Sequence, residues 1–184
     1  MIILIFLIGG TPSFKLTKGF VVTPANLCSS SLHNVLTILA EKTPQPRLIV
    51  VSSHGIISKS HATLPLLVKG VHALIDVPHQ DKLALERLVY YSAGWEWADP
   101  EPKVLGQDWK AGLPPSGWLK SAVIIRPALL TSGASKAEAG GSYRVDELLP
   151  GAYSVSREDI SHFIAIECIP NWSKYENRGF SIGY

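Results

Sequence analysis

Cysteine is scarce in this 184-residue chain. Cys28 and Cys168 are the only two, and each falls in a segment that reads as helix. Buried thiols are therefore expected, not a disulfide framework or a metal cluster. Charge is scarce too. Charged residues make up 17%, the net charge is +2, and no Lys/Arg run exceeds two residues. A nucleic-acid binder needs a denser basic footprint. No apolar run reaches the ~20 residues of a membrane span. The first lysine is Lys15, so the apolar opening lacks the basic segment of a signal peptide. The expected location is cytoplasmic, with neither nucleic acid nor membrane as partner.

Apolar residues, at 46%, supply three strands. MIILIFLIGG (1–10) runs apolar without alternation into a glycine turn, the pattern of a parallel strand covered on both faces. RLIVVSSHG (47–55) and SAVIIRPALLTSG (121–133) end in small or polar turns in the same way. Helices alternate with them. Residues 26–42 place Leu32, Val35, Leu36 and Leu39 on one face, with Asn26 or a nearby Ser as cap. A short helix is expected around 63–69, then a loop to Pro78, then a clear helix over 79–93 that Gly94 ends. Residues 156–169 open with Ser156 as N-cap and an acidic first turn, in which Asp159 reads as a second cap and His162 as a contact to a neighbouring turn. A last strand covers 179–184.

This order predicts an α/β fold, a partial Rossmann-type (doubly wound) parallel sheet flanked by helices. It is read as one domain over 1–184. Residues 95–118, with four of the five tryptophans and no period, form a surface insertion. Residues 134–152 form a second loop around Tyr143.

One signature is missing. The first strand of a dinucleotide-binding fold carries G-x-G-x-x-G or a close variant, and these 184 residues contain none. The domain is therefore expected to be N-terminally incomplete, with 1–8 as an apolar sheet edge through which copies could self-associate.

IGGT (8–11), VVSSHG (50–55), DKLALERLV (81–89), VIIRPALLT (123–131) and YSVSREDISHFI (153–164), in this order, resemble the atypical short-chain dehydrogenase/reductase group. Within it the resemblance is to NmrA-like proteins and the biliverdin-IXβ and flavin reductases. It implies an NAD(P) cofactor, with NADPH expected, and hydride transfer to a conjugated or flavin-like small-molecule acceptor. Binding by this chain alone is expected to be weak. The resemblance places Ser53 as the catalytic residue. It lines the cofactor with Gly9, Gly10, Thr11, Ser52, Ser53, Lys82, Pro127, Ala128 and Leu129, and the substrate with His54, Tyr143 and Arg144. It implies no metal. The Tyr-x-x-x-Lys pair of typical short-chain dehydrogenases is absent, because Pro78 stands four residues before Lys82. Ketone reduction through an activated phenol is thus disfavoured. Lys82 otherwise reads as a solvated lysine on a charged face with Asp81 and Glu86. Two alternatives stand beside the reductase: a cofactor-sensing protein without turnover, and a fragment without function.

Overall fold

Alternation of apolar residues across each strand builds two cores on one sheet. The computed structural model describes residues 2–11, 13–15, 19–66, 68–70 and 76–184. Its strands are β1 (Ile3–Phe6), β2 (Ser13–Lys15), β3 (Gly19–Val21), β4 (Arg47–Val51), β5 (Ala122–Pro127), β6 (Leu129–Thr131), β7 (Arg144–Asp146), β8 (Ser154–Ser156) and β9 (Arg178–Gly183). Its helices are α1 (Leu27–Leu39), α2 (Ser58–Ala62), α3 (Asp76–Ala93), α4 (Arg157–His162) and α5 (Trp172–Tyr175).

The main sheet runs β1-β4-β5-β9-β7. Its first four strands are parallel, and β7 is antiparallel to β9. The expected α/β architecture is thus present, with a mostly parallel sheet flanked by helices. Leu48, Val50, Ala122 and Ile124 face one way and pack with Leu32 and Leu36 of α1 and Leu85 and Leu88 of α3. Ile49, Val51, Val123 and Ile125 face the other way and pack with Ile160, Phe163 and Ile164. Period two in the strands therefore fills both layers. Each fully buried large side chain is worth about 1.5–3 kcal/mol.

Several boundaries differ from the expected ones. β1 is covered on one face and only in part on the other, where Ile3 packs against the second core. Leu4 and Phe6 pack into the α1–α3 core, but Ile5 is 40% and Leu7 61% exposed. α3 starts at Asp76 and takes Pro78 into its first turn, where a missing N–H costs nothing. α2 over Ser58–Ala62 is a further short helix, ahead of the one expected around 63–69. Helical backbone recurs at 66 and 68–70, and residues 71–75 lie outside the described chain. Gly94 ends α3 at a φ of 72°, and a Cβ there would lie 3.0 Å from Gly117 Cα. β2 and β3 pair antiparallel, which the sequence pattern did not mark. β7 is also unmarked, a strand inside the expected 134–152 loop that pairs with β9. α4 continues as a π-helix over Phe163–Cys168.

The 95–118 segment packs against the α1–α3 core through Trp95, Trp109, Leu113 and Trp118. Arg87 fastens it, pairing with Glu101 at 2.8 Å and lying over the Trp97 and Trp109 rings. Among the described residues, no helix is long and apolar enough to cross a membrane.

Candidate functional site

The carboxyl ends of parallel strands are where ligands meet an open α/β sheet. Here those ends gather Ile8–Gly9 after β1, Ser52–Ser53 after β4, and Pro127–Ala128 where β5 runs out. Lys82, in the second turn of α3, reaches them. Its ammonium donates to the Ile8 carbonyl at 3.0 Å and the Val51 carbonyl at 3.1 Å. An ammonium has three donors, and the Cys28 thiol also lies within hydrogen-bonding reach of it. This is not the solvated lysine of a charged helix face. Its expected neighbours on that face are also buried elsewhere. Glu86 is fully buried, and Asp81 points at α1.

Asp81 acts as a cap supplied from another helix. Its carboxylate accepts from the Cys28 N–H at 2.7 Å, the Ser29 N–H at 2.9 Å and the Ser29 hydroxyl at 2.6 Å. Asn26 holds the N-cap position of α1 but makes no capping bond with its side chain. Negative charge is stabilised at a helix N-terminus, so Asp81 fixes α3 against α1 and thereby aims Lys82. Cys28 sits beside this cluster and donates its Sγ–H to the Ile8 carbonyl at 3.4 Å. Burial first, and then the Asp81 carboxylate, push its thiol up to about 11 against the opposing pull of Lys82. Cys168 is likewise buried and raised to about 11 by burial. Both cysteines are free thiols that stay protonated at neutral pH.

Ser52 carries the second feature of the site. Its N–H donates to the Ile125 carbonyl at 2.7 Å. Its Oγ is buried and finds no partner among the described residues. A buried hydroxyl without a partner costs about 1–3 kcal/mol. Ser53 beside it is half-buried and so reachable.

The remaining expected residues divide. Gly9 has open space at its Cβ position, whereas the space at Gly10 is filled by Val22, whose Cγ1 would lie 2.0 Å away. Gly10 therefore serves packing, while Gly9 and the exposed Thr11 stay open to an approaching ligand. Backbone groups of 127–129 are largely committed to the fold. Pro127 O accepts from the His54 N–H at 2.8 Å, Ala128 N–H donates to Ile182 O at 2.9 Å, and Leu129 N–H donates to Tyr153 O at 3.2 Å. The expected backbone contact to a carboxamide therefore has no N–H left on these three residues. His54 is 3% exposed, with Nδ1 2.9 Å from the Ser181 hydroxyl. It ties the end of β4 to β9 instead of standing open to a substrate.

Tyr143 and Arg144 lie at the opposite edge of the sheet. β7 is three strands from β4, about 14 Å at the usual spacing. The Tyr143 hydroxyl lies 2.9 Å from His162 Nδ1. Burial first, then the nearby Glu167 and Asp159 carboxylates, push this phenol up to about 12. It lines a cavity of ≈ 270 Å³ with Phe163, Glu167 and Tyr175. Arg144 donates to the Pro150 carbonyl at 3.1 Å.

Two carboxylates that the sequence placed on helix surfaces are buried anchors. Glu86 takes a two-pronged contact from Arg126, at 2.9 and 2.7 Å, and Arg126 also donates to the Tyr90 hydroxyl at 3.2 Å. Burial works against the guanidinium charge, but Glu86 outweighs it and raises the arginine above its ordinary range. Asp159 does not cap its own helix; Ser156 does, accepting from the Asp159 N–H at 2.9 Å. The Asp159 carboxylate instead accepts from the Ser135 hydroxyl at 2.6 Å, from the N–H groups of Lys136 and Ala137, and from the Tyr184 hydroxyl. No spacing rule marks either role, because each pairs residues more than twenty positions apart.

A reductase from Aspergillus terreus, Reductase pytE, is 29% identical over 171 residues, which span 86% of this chain and 57% of that protein. The two chains are relatives. The chain spans little more than half the length of this relative. No family model matches it. Two solved structures match most of the chain at low identity and low overall similarity. One is a candidate NAD-dependent epimerase/dehydratase from Bacillus halodurans, at 17% identity and a TM-score of 0.45, covering 87% of this chain and 54% of that one. The other is the oxidoreductase ylbE from Lactococcus lactis, at 12% identity and a TM-score of 0.47, with the same coverage.

Proposed function

We propose that the chain is an NAD(P)-dependent reductase domain whose sheet ends hold the ribose and nicotinamide side of the cofactor. Lys82 carries the reading: its ammonium is fixed across the β1–β4 seam at the sheet ends, and the buried hydroxyl of Ser52, next in sequence to its Val51 acceptor, has no partner among the described residues. Both suit the hydroxyls of a ribose. The fit is partial. The N–H groups of Ala128 and Leu129 are spent, and no residue pattern here supplies a pyrophosphate cradle. When bound, a reduced nicotinamide supplies a hydride. The acceptor then needs one proton, which Ser53 or solvent can deliver to a conjugated or flavin-like molecule without a strong enzyme acid. The kinship with a fungal reductase supports the reaction type.

The test is acceptor reduction at saturating NADPH and, separately, NADH, with a free flavin and a quinone as acceptors. Nicotinamide oxidation above the uncatalysed rate is expected, reduced at least about tenfold by Lys82→Met, a loss of about 1.4 kcal/mol in the transition state. No acceptor-dependent oxidation with either cofactor would contradict the reading. Robust ketone reduction dependent on Lys82 would contradict the missing-tyrosine argument, since Pro78 stands where the phenol would be.

A further inference from the structure

The cavity beside Tyr143, ≈ 270 Å³ in volume, is smaller than most drug-sized pockets. Aromatic rings wall it. Tyr143, Phe163 and Tyr175 all line it. Tyr143 meets Phe163 at an interplanar angle of 81°, and Phe163 meets Tyr175 at 89°, with centroids 6.1 and 5.2 Å apart. Edge-to-face pairs of this kind set neighbouring rings at right angles, like the sides of a box. Side chains alternate along an extended segment. Tyr143 and Val145 thus line the cavity, while Arg144 between them bonds the Pro150 carbonyl instead. Phe163 and Glu167 reach the cavity from the π-helix, where the Ile169 N–H donates five residues back to the Ile164 carbonyl at 3.0 Å. Such a turn is rare and recurs at functional sites.

One charged side chain lines this cavity, that of Glu167. Asn171 bonds its backbone carbonyl at 2.9 Å, and among the described residues its carboxylate has neither a hydrogen bond nor an ion pair. Its field still reaches the ring opposite. After burial, Glu167 and then Asp159 are what raise the Tyr143 phenol to about 12. The phenol therefore stays neutral, in a negative surrounding. One of the rings already attracts a cation: the Lys174 ammonium lies 4.9 Å from the Tyr175 centroid. Lys174 is exposed and lines the neighbouring pocket, not this one.

We propose that the cavity binds a small alkylated ammonium ion of the choline class, its methyl groups against Tyr143, Phe163 and Tyr175 and its charge facing Glu167. Ring faces attract a weakly hydrated cation. One carboxylate supplies too few oxygens for calcium or magnesium, and it repels an anion. A neutral apolar ligand would fill the box but leave a partly desolvated carboxylate without a partner. The β7 edge stands about 14 Å from β4 at the usual spacing, so this site is separate from the sheet ends. The inference stands independently of the reductase reading.

NMR titration of the intact chain with choline tests it, alongside the neutral isostere in which a quaternary carbon replaces the nitrogen. Saturable choline binding with a Kd near or below ~1 mM is expected, with the isostere at least about fivefold weaker. Nuclear Overhauser contacts should join the choline methyls to the rings of Tyr143, Phe163 and Tyr175. Glu167→Gln keeps the side-chain shape and should weaken choline at least about fivefold, while leaving the isostere unchanged. Tyr143→Leu removes a ring and should weaken choline too, whereas Tyr143→Phe keeps the ring and should bind within about twofold of the original chain. The comparison of choline with its isostere needs no variant, so a misfolded substitution does not blunt the test. No saturation up to ~10 mM choline would overturn the proposal. So would equal binding of the isostere, or choline binding indifferent to Glu167→Gln.

Discussion

The two edges of the sheet end in opposite ways. β7 is short and antiparallel, and places Arg144 and Asp146 at its exposed positions. Glu147 just beyond it pairs with Arg178 at 3.4 Å, in water on both sides. β1 is parallel, apolar and uncharged, with one face covered and the other covered in part at Ile3. Between them lie Glu86, Arg126 and Asp159, charged groups that are buried and fully engaged. Charge in this molecule is thus placed in two ways: exposed where it keeps an edge from pairing, and buried only where partners surround it. Among the described residues the β1 edge has neither device.

The sharpest way to break this comparison is to strip a partner from the buried pair and from the exposed one. Glu86→Ala leaves Arg126 charged in the core and should cost about 3–5 kcal/mol in urea unfolding. Glu147→Ala removes a partner of the exposed Arg178 and should cost at most about 1 kcal/mol. Equal losses would remove the distinction.

The next effect depends on pH. Burial alone would raise the Asp159 pKa, yet the hydrogen bonds from Ser135, Tyr184, Ala137 and Lys136 prevail and hold it below the usual carboxylate range. A depressed folded pKa adds stability above the unfolded value, near 4, and loses it as pH falls through that value toward the folded one. Asp159→Asn should therefore cost about 1–3 kcal/mol at neutral pH and flatten the acid limb of the stability curve below about pH 4. A variant whose acid limb matches the wild type would contradict the role given to this carboxylate.

A similar cost, of about 1–3 kcal/mol, is expected from overpacking at Gly179. A Cβ there would lie 2.8 Å from the Arg126 guanidinium. Gly179→Ala should thus lower the midpoint of thermal unfolding, and should do so less in a Glu86→Ala background, where the arginine is already free to move.

The elements with strong local patterns were legible in the sequence. β4, β5, α1 and the later part of α3 follow apolar runs and helical spacing, and Gly94 and Ser156 punctuate as their chemistry dictates. Less legible were features that depend on distant residues. β7 shows no apolar run because it is a charged edge. The π-helical turn after His162 keeps the residue composition of an α-helix. The roles of Asp81, Glu86 and Asp159 need the tertiary fold, since each carboxylate finds its donors on another element. At the site, position was legible but commitment was not. Lys82, Ser52 and Ser53 stand at the sheet ends as expected. His54, Gly10, Ala128 and Leu129 are there too, yet spend their side-chain space or backbone donors inside the fold.

Calorimetric titration with NADPH tests the account of the site most directly. The ribose side has Lys82 and Ser52 to offer, while these residues supply no glycine-rich turn to hold a pyrophosphate at a helix N-terminus. Binding weaker than a Kd of ~10 μM, about 7 kcal/mol, and further weakened by Lys82→Met, is the predicted result. Tighter binding, or binding indifferent to Lys82, would contradict it.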